Sequence, residues 1–138
     1  MKVEPYLFFE GRAEEAMAFY AAALGAEVAM KMKYGENPDA ANSPMQMPAD
    51  KVMHAALQVG DMTLMLSDGM CSGKTNFQGC SLSLTLDTDA QARKAFDALA
   101  DGGKVNQAMT ETFFASSFGM VDDRFGVSWM VIKPRPMP

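Results

Sequence analysis

His54 is the only histidine in the chain, so any imidazole acting as a base or ligand must be His54. An imidazole changes charge close to neutral pH and can accept or donate through either nitrogen. It lies in VMHAALQV, whose alternation predicts a strand over Val52–Val59. Met53, Ala55, Leu57 and Val59 then face a core, and His54, Ala56 and Gln58 face away from it. A strand histidine also serves as a plain hydrogen-bonding group, and both roles stay open. Glu111, ahead of Phe113 and Phe114, offers general-base chemistry on condition that burial raises its pKa. Its other reading is an ordinary surface carboxylate. Asp68, just after the apolar run Met62–Ser67, either caps the loop that follows or touches a ligand. Tyr6 and Ser67 offer hydroxyl donors. Phe114, Phe118, Phe125 and Trp129 offer an aromatic wall for an apolar ligand, although alternating strand aromatics also build cores.

The elements that must position these groups come from one design used twice. LFFEGRAEEAMAFYAAALGAEV from Leu7 and LTLDTDAQARKAFDALADGGKV from Leu84 align Leu7 with Leu84, Ala13 with Ala90, Phe19 with Phe96, Gly25 with Gly102 and Val28 with Val105. Each copy reads as strand, acidic turn, amphipathic helix, glycine stop and new strand. The first strand is predicted over Val3–Phe9. A helix follows over Arg12–Leu24, with a stripe of Ala13, Ala16, Met17, Tyr20, Ala23 and Leu24. Period-two alternation from Val28 to Tyr34 predicts a half-exposed strand. Gly35 to Lys51, with Pro38, Pro44 and Pro48, reads as a long loop of the kind that forms lids. A hairpin then joins Val52–Val59 to Met62–Ser67 through a type II′ turn at Gly60-Asp61.

The second copy predicts strands at Ser81–Leu86, Lys104–Ala108, Glu111–Val121 and Val127–Ile132. Its helix spans Asp89–Ala100 and buries Ala92, Ala95, Phe96 and Leu99, and a type I turn falls at Asp123–Gly126. Leu82, Leu84 and Leu86 face a core, while Ser81, Ser83 and Thr85 line a cleft. The last strand ends at Pro134, and Pro136 and Pro138 make a ragged tail. The expected fold class is α+β, two βαβββ units (about 1–67 and 81–133) within a single domain spanning 1–138.

The totals narrow the function. A chain of 138 residues can bury a real core, hiding roughly 68–70% of its unfolded surface. With 17 acidic against 12 basic residues, the formal charge of −5 disfavours nucleic acid and anionic membrane surfaces as partners. The N-terminal apolar run is broken by Glu10 and Arg12 before it reaches signal-peptide or spanning length, which predicts a cytoplasmic protein without a membrane span. Cys71 and Cys80 lack metal-type spacing and read as reduced. The 14 methionines suit either an adaptable cavity or a Met-rich core. GMCSGKT misses the P-loop spacing, with three residues between Gly69 and Gly73 and no helix after Thr75, and no strand, glycine loop and helix fit a dinucleotide-type site. No cofactor is expected.

Two βαβββ units, FY near the end of the first helix with LG after it, and DRFGVSW in the last hairpin resemble the vicinal oxygen chelate superfamily of glyoxalase I, extradiol dioxygenases and bleomycin resistance proteins. PYLFF, HAALQV, SDGMCSGK and TFFASSFGMVDDRFGVSW are similar to its PhnB-like branch, often labelled 3-demethylubiquinone 3-methyltransferase. The resemblance implies half-open β cups that enclose a small-molecule site on their concave faces, commonly in a homodimer. It also implies four metal-ligand slots, on the first and fourth strands of each unit. These fall at Pro5 or Tyr6, near Met65, at Ser81 or Ser83 and near Met130, and none is a good ligand for zinc, nickel or manganese. No metal is therefore expected, and Met65 joins Tyr6, Ser67, Asp68, Phe114 and Trp129 as a ligand-binding candidate beside His54 and Glu111. The expected function is binding of a small, partly apolar molecule in the cup. The alternative is a metal-dependent lyase, isomerase or dioxygenase with a relocated site at His54.

Overall fold

A computed structural model describes residues 1–42 and 46–136. Pro44 of the expected loop and Pro138 of the expected tail lie outside the described residues. Contacts divide the chain into two units, Met1–Thr75 and Asn76–Pro138. The first contains β1 (Tyr6–Phe8), α1 (Ala13–Leu24), β2 (Glu27–Lys33), β3 (Val52–Val59) and β4 (Met62–Ser67). The second contains β5 (Leu82–Thr85), α2 (Asp89–Ala100), β6 (Lys104–Thr110), β7 (Ala115–Asp122) and β8 (Ser128–Pro134). Each unit is βαβββ with one open four-stranded sheet, in the orders β1-β4-β3-β2 and β5-β8-β7-β6. The fold is mixed α+β. In both sheets the first strand lies parallel to the last, as the helical crossover permits, and the remaining pairs are antiparallel hairpin partners.

In the first unit Ala13, Ala16, Met17 and Tyr20 of α1 are buried with Phe9, Ala55, Leu57, Leu64 and Leu66 of the sheet. Phe9 and Tyr20 meet edge to face with ring centroids 6.1 Å apart. Burying a side chain of this size contributes about 1.5–3 kcal/mol. Gly25, in the left-handed region at φ 70°, stops the helix, and the amides of Gly25 and Ala26 donate to the carbonyls of Ala21 and Tyr20. In the hairpin Gly60 takes φ 57°, Asp61 keeps a negative φ, and Val59 pairs with Met62, as a type II′ turn requires. The loop predicted over 35–51 contains two short 3₁₀ turns, Tyr34–Glu36 and Ala40–Asn42.

Two β-bulges change the predicted alternation. Val28 pairs with Leu57 but Met30 with Ala56, which leaves Ala29 extra; Met32 pairs with His54 but Lys33 with Val52, which leaves Met53 extra. Val52 is therefore fully buried and Met53 is not, so the predicted core position of Met53 is corrected.

The second unit buries Ala92, Ala95, Phe96 and Leu99 of α2 as predicted, against Val121, Trp129 and Val131. Thr88 caps α2 by accepting from the Gln91 amide. The register of the repeat slips by one residue between strand and helix: the aromatic buried in α1 is Tyr20, where the alignment had matched Phe19 to Phe96. Phe9 to Arg12 separate β1 from α1, whereas only Leu86 to Thr88 separate β5 from α2. The extra residue places Glu10 in the left-handed region at φ 52°. The strand predicted from Glu111 starts at Ala115, because the Thr112 hydroxyl accepts from the amides of Phe114 and Ala115 and makes a turn there.

Asp68 is 1% exposed and ties the first unit together. Its Oδ1 accepts from the Ala13 amide at 2.7 Å, its Oδ2 accepts from the Val52 amide at 2.6 Å, and its own amide donates to the Val52 carbonyl at 2.8 Å. Arg12, the residue before α1, supplies no side-chain cap, so Asp68 brings the negative charge that the helix N-terminus favours. An Asp68→Ala variant should lose about 2–5 kcal/mol of stability, since each orphaned buried amide costs roughly 1–3 kcal/mol. Asp68→Asn, which keeps one acceptor, should lose less. Urea unfolding monitored by far-UV circular dichroism checks this, and a wild-type midpoint for Asp68→Ala would show that water replaces the carboxylate.

Candidate functional site

The face of the first sheet opposite α1 carries the polar groups. Across it Tyr6 pairs with Met65, Met65 with Ala56 and Ala56 with Met30, so these side chains form one row. From β1 the Tyr6 ring reaches over β4, and its hydroxyl meets His54 Nδ1 at 2.8 Å, the two rings stacking with centroids 5.5 Å apart. Ser67 closes the group, its Oγ accepting from the Gly69 amide at 2.9 Å. Burial pushes the Tyr6 hydroxyl above its ordinary value, and a hydrogen bond with Ser67 partly offsets this. The direction of the bond between the Tyr6 hydroxyl and His54 Nδ1 follows the imidazole tautomer.

Beside this group opens a cavity of about 540 Å³, within the usual range for small-molecule sites. Tyr6 and Phe8 line it from β1, and Ser67, Gly69 and Met70 from the end of β4. Glu10, Tyr34 and the bulged Met53 complete the lining. Two groups hold the rim. The Tyr34 hydroxyl donates to the Gly69 carbonyl at 2.9 Å. The Glu10 carboxylate accepts from the amides of Met70 at 3.2 Å and Ser72 at 3.3 Å, and its carbonyl accepts from the Gly73 amide. Gly69, Cys71 and Gly73 all take positive φ. The glycine-rich loop that superficially resembles a phosphate cradle thus turns its amides onto the chain's own carboxylate. A Cβ at Gly69 would run into Glu10 Oε2.

The sequence candidates separate into two groups. Tyr6, His54, Met65 and Ser67 come together on this face, with His54 behind Tyr6 and not itself lining the cavity. Asp68 is the buried tie between α1 and β3 and does not line this cavity. Glu111, Phe114 and Trp129 belong to the second unit. Glu111 has a 76% exposed side chain paired with Arg135 at 3.6 Å, so it lacks the burial its general-base role depended on. Trp129 is 2% exposed, and its indole N–H donates to Asp123 Oδ2 at 2.9 Å, so it is core and not a ligand wall. Phe125 is core as well. Phe114 is half-buried and packs edge to face between Phe113 and Phe118. Phe8, Glu10, Tyr34, Met53 and Met70 were not singled out from the sequence. No signal in the gapless alignment of the two copies marked Glu10, because the longer strand-to-helix turn of the first copy shows only in the structure.

The sequence profile of the family described as 3-demethylubiquinone-9 3-methyltransferase matches residues 1–132. The chain belongs to this family. Protein YjdN of Escherichia coli K12, a relative, is 39% identical over 145 residues that cover 99% of each chain. Protein PA1353 of Pseudomonas aeruginosa superposes with a TM-score of 0.84 at 39% identity over 99% of each chain. The PhnB protein of Bacillus cereus superposes at 0.79 with 28% identity, covering 96% of this chain and 99% of its own. A glyoxylase/bleomycin resistance protein/dioxygenase domain from Frankia shares the fold, with a TM-score of 0.64 at 14% identity over 96% and 94% of the two chains. The expected PhnB-like membership and glyoxalase-like fold therefore hold.

The groups that these resemblances imply do not fit this member of the 3-demethylubiquinone-9 3-methyltransferase family. The slots for a glyoxalase-type metal hold the paired residues Tyr6 and Met65 in one sheet and Ser83 and Met130 in the other, with no imidazole or carboxylate. Among the described residues no three of His, Cys, Asp and Glu cluster as a metal site would need. The strand-to-helix turn of the first unit holds one glycine, and Asp68 occupies the helix N-terminus that a dinucleotide-type cofactor would use. No helix among the described residues is long and apolar enough to cross a membrane.

The cavity phenols set an alkaline limit. Tyr6 and Tyr34 are both held above the ordinary value of 10.0, chiefly by burial. A raised folded-state pKa contributes stability that is complete below pH 10 and is lost as pH rises through the folded value. Melting temperature should thus fall more steeply above about pH 10 in the wild type than in Tyr6→Phe/Tyr34→Phe, as read by circular dichroism from pH 8 to 11. Parallel curves would show that these phenols titrate as in the unfolded chain.

Proposed function

We propose that the protein binds a small, partly apolar molecule in the cavity of its first unit. One observation carries this reading: Tyr6, pinned through His54 Nδ1, forms a fixed aromatic floor to a cavity of about 540 Å³. A pre-set wall costs a ligand little ordering. Phe8 and Met53 supply apolar surface, and the Ser67 hydroxyl is the polar group that fixes orientation. The metal-dependent alternative calls for a site relocated to His54, and among the described residues no three of His, Cys, Asp and Glu cluster there to support it. The reading is therefore one of capture without turnover, with His54 a positioning residue for Tyr6.

Thermal-shift titration with benzyl alcohol and 4-methylphenol tests it. Both should raise the melting temperature of the wild type. Phe8→Ala, which removes a half-exposed ring, and Ser67→Ala should each lose at least about half of the shift, and mass spectrometry should recover both compounds unchanged. Shifts that survive both substitutions would place binding elsewhere, and a chemically altered compound would restore the enzyme reading.

We infer also that the working unit is a homodimer. β2 and β6 are edge strands with exposed residues along most of their length, and open edges of this kind are normally covered by another chain. Sedimentation at micromolar concentration should give twice the 15.0 kDa chain mass, and a single species of chain mass would refute the inference.

A further inference from the structure

The lining of the cavity has a definite electrical character. Three aromatic side chains, Tyr6, Phe8 and Tyr34, line it together with one carboxylate, Glu10, and no lysine or arginine is among the lining residues. Tyr6 and Phe8 are in contact, with centroids 5.2 Å apart and planes tilted by 37°. Aromatic faces carry negative quadrupole charge and attract cations within about 6 Å of the ring centre. All three sides of the site are held in place: Tyr6 by His54, Tyr34 by the Gly69 carbonyl, and Glu10 by the amides of Met70 and Ser72.

Glu10 keeps its charge available. A carboxylate has about four acceptor positions, and the two long bonds to Met70 and Ser72 use one on each oxygen. Lys51, the cation nearby, donates to the Gly11 carbonyl at 3.0 Å, keeps its charge and does not line the cavity. Burial is the main reason that Tyr34 and Cys71 are pushed above their ordinary values; the charges of Asp68 and Glu10 add to the effect in both, and Lys51 opposes it at Cys71.

Resting on the small-molecule reading above, we propose that the cavity takes its ligand as an alkylammonium or quaternary ammonium cation, seated against the rings of Tyr6, Phe8 and Tyr34 with Glu10 as its counter-charge. The aromatic walls replace the weak hydration of a methylated ammonium group, and Glu10 supplies the net charge. A neutral molecule of the same shape gains only the burial, and a carboxylate is repelled.

Three probes of one shape separate these effects in isothermal titration calorimetry: choline, its neutral carbon isostere 3,3-dimethylbutan-1-ol, and the anion 3,3-dimethylbutanoate. Choline should bind at least about tenfold more tightly than the neutral isostere, and the anion should not bind. Glu10→Gln should cut the ratio of choline affinity to neutral-isostere affinity several-fold, and Phe8→Ala should weaken choline. Equal or tighter binding of the neutral isostere would overturn the cation assignment and leave small-molecule capture standing. Binding of none of the three would overturn the cation assignment, and small-molecule capture would fall with it only where benzyl alcohol and 4-methylphenol also leave the melting temperature unchanged. Choline binding indifferent to both Glu10→Gln and Phe8→Ala would place the cation at another surface and overturn the proposal.

Discussion

The buried carboxylate of Asp68 is the constraint on which the first unit depends. It joins the start of α1, the start of β3 and the end of β4 through one side chain, and each of its oxygens takes a backbone amide that water cannot reach. A charge in that position is stable because the helix N-terminus and two short hydrogen bonds compensate its lost hydration. Its position also fixes what lies on either side of it in sequence. Ser67 is turned to the cavity face, and Gly69 begins the loop that Glu10 and Tyr34 hold.

The two units show how one architecture yields different surfaces. In the second, the strand-to-helix turn is one residue shorter and its polar groups serve its own helix: Thr88 caps α2, and Gln91 Oε1 accepts from the Asp87 amide. In the first, the longer turn throws Glu10 into a left-handed conformation and sends its carboxylate to a neighbouring loop instead. The buried carboxylate of the second unit, Asp123, serves its hairpin turn by accepting from the amides of Phe125 and Val127 and from the Trp129 indole. One unit uses its buried acid to secure a core tryptophan, and the other uses it to secure the frame of a cavity.

Most of the fold was legible because it rests on periodicity and on glycine. The buried face of α2 and the hairpin at Gly60-Asp61 follow from patterns that nothing in the packing overrides. The site was less legible for reasons that have particular causes. A bulge at Met53 reverses the face of a residue that strict alternation sends to the core, and an extra residue on one strand leaves no mark in composition. Trp129 pairs with Leu82, so the core face assigned to Leu82 already implied a core position for the tryptophan. The turn made by the Thr112 hydroxyl detaches Glu111 from the strand predicted to begin there, and its surface reading is the one that the 76% exposed side chain fits. Tyr6 and Ser67 were recognisable as donors, but their meeting with His54 depends on a tyrosine reaching across a strand, which spacing along the chain does not reveal.

The close approach of Gly69 to Glu10 has a consequence for how this protein can evolve. Position 69 has no room for a side chain while the Glu10 carboxylate stays where it is, and the Glu10 carboxylate is held there by the amides of Met70 and Ser72, which follow position 69. A side chain at 69 must drive the carboxylate off those amides, so that among descendants of this sequence a lineage with a larger residue at 69 would also have abandoned the acid at 10, and with it the charge of the cavity.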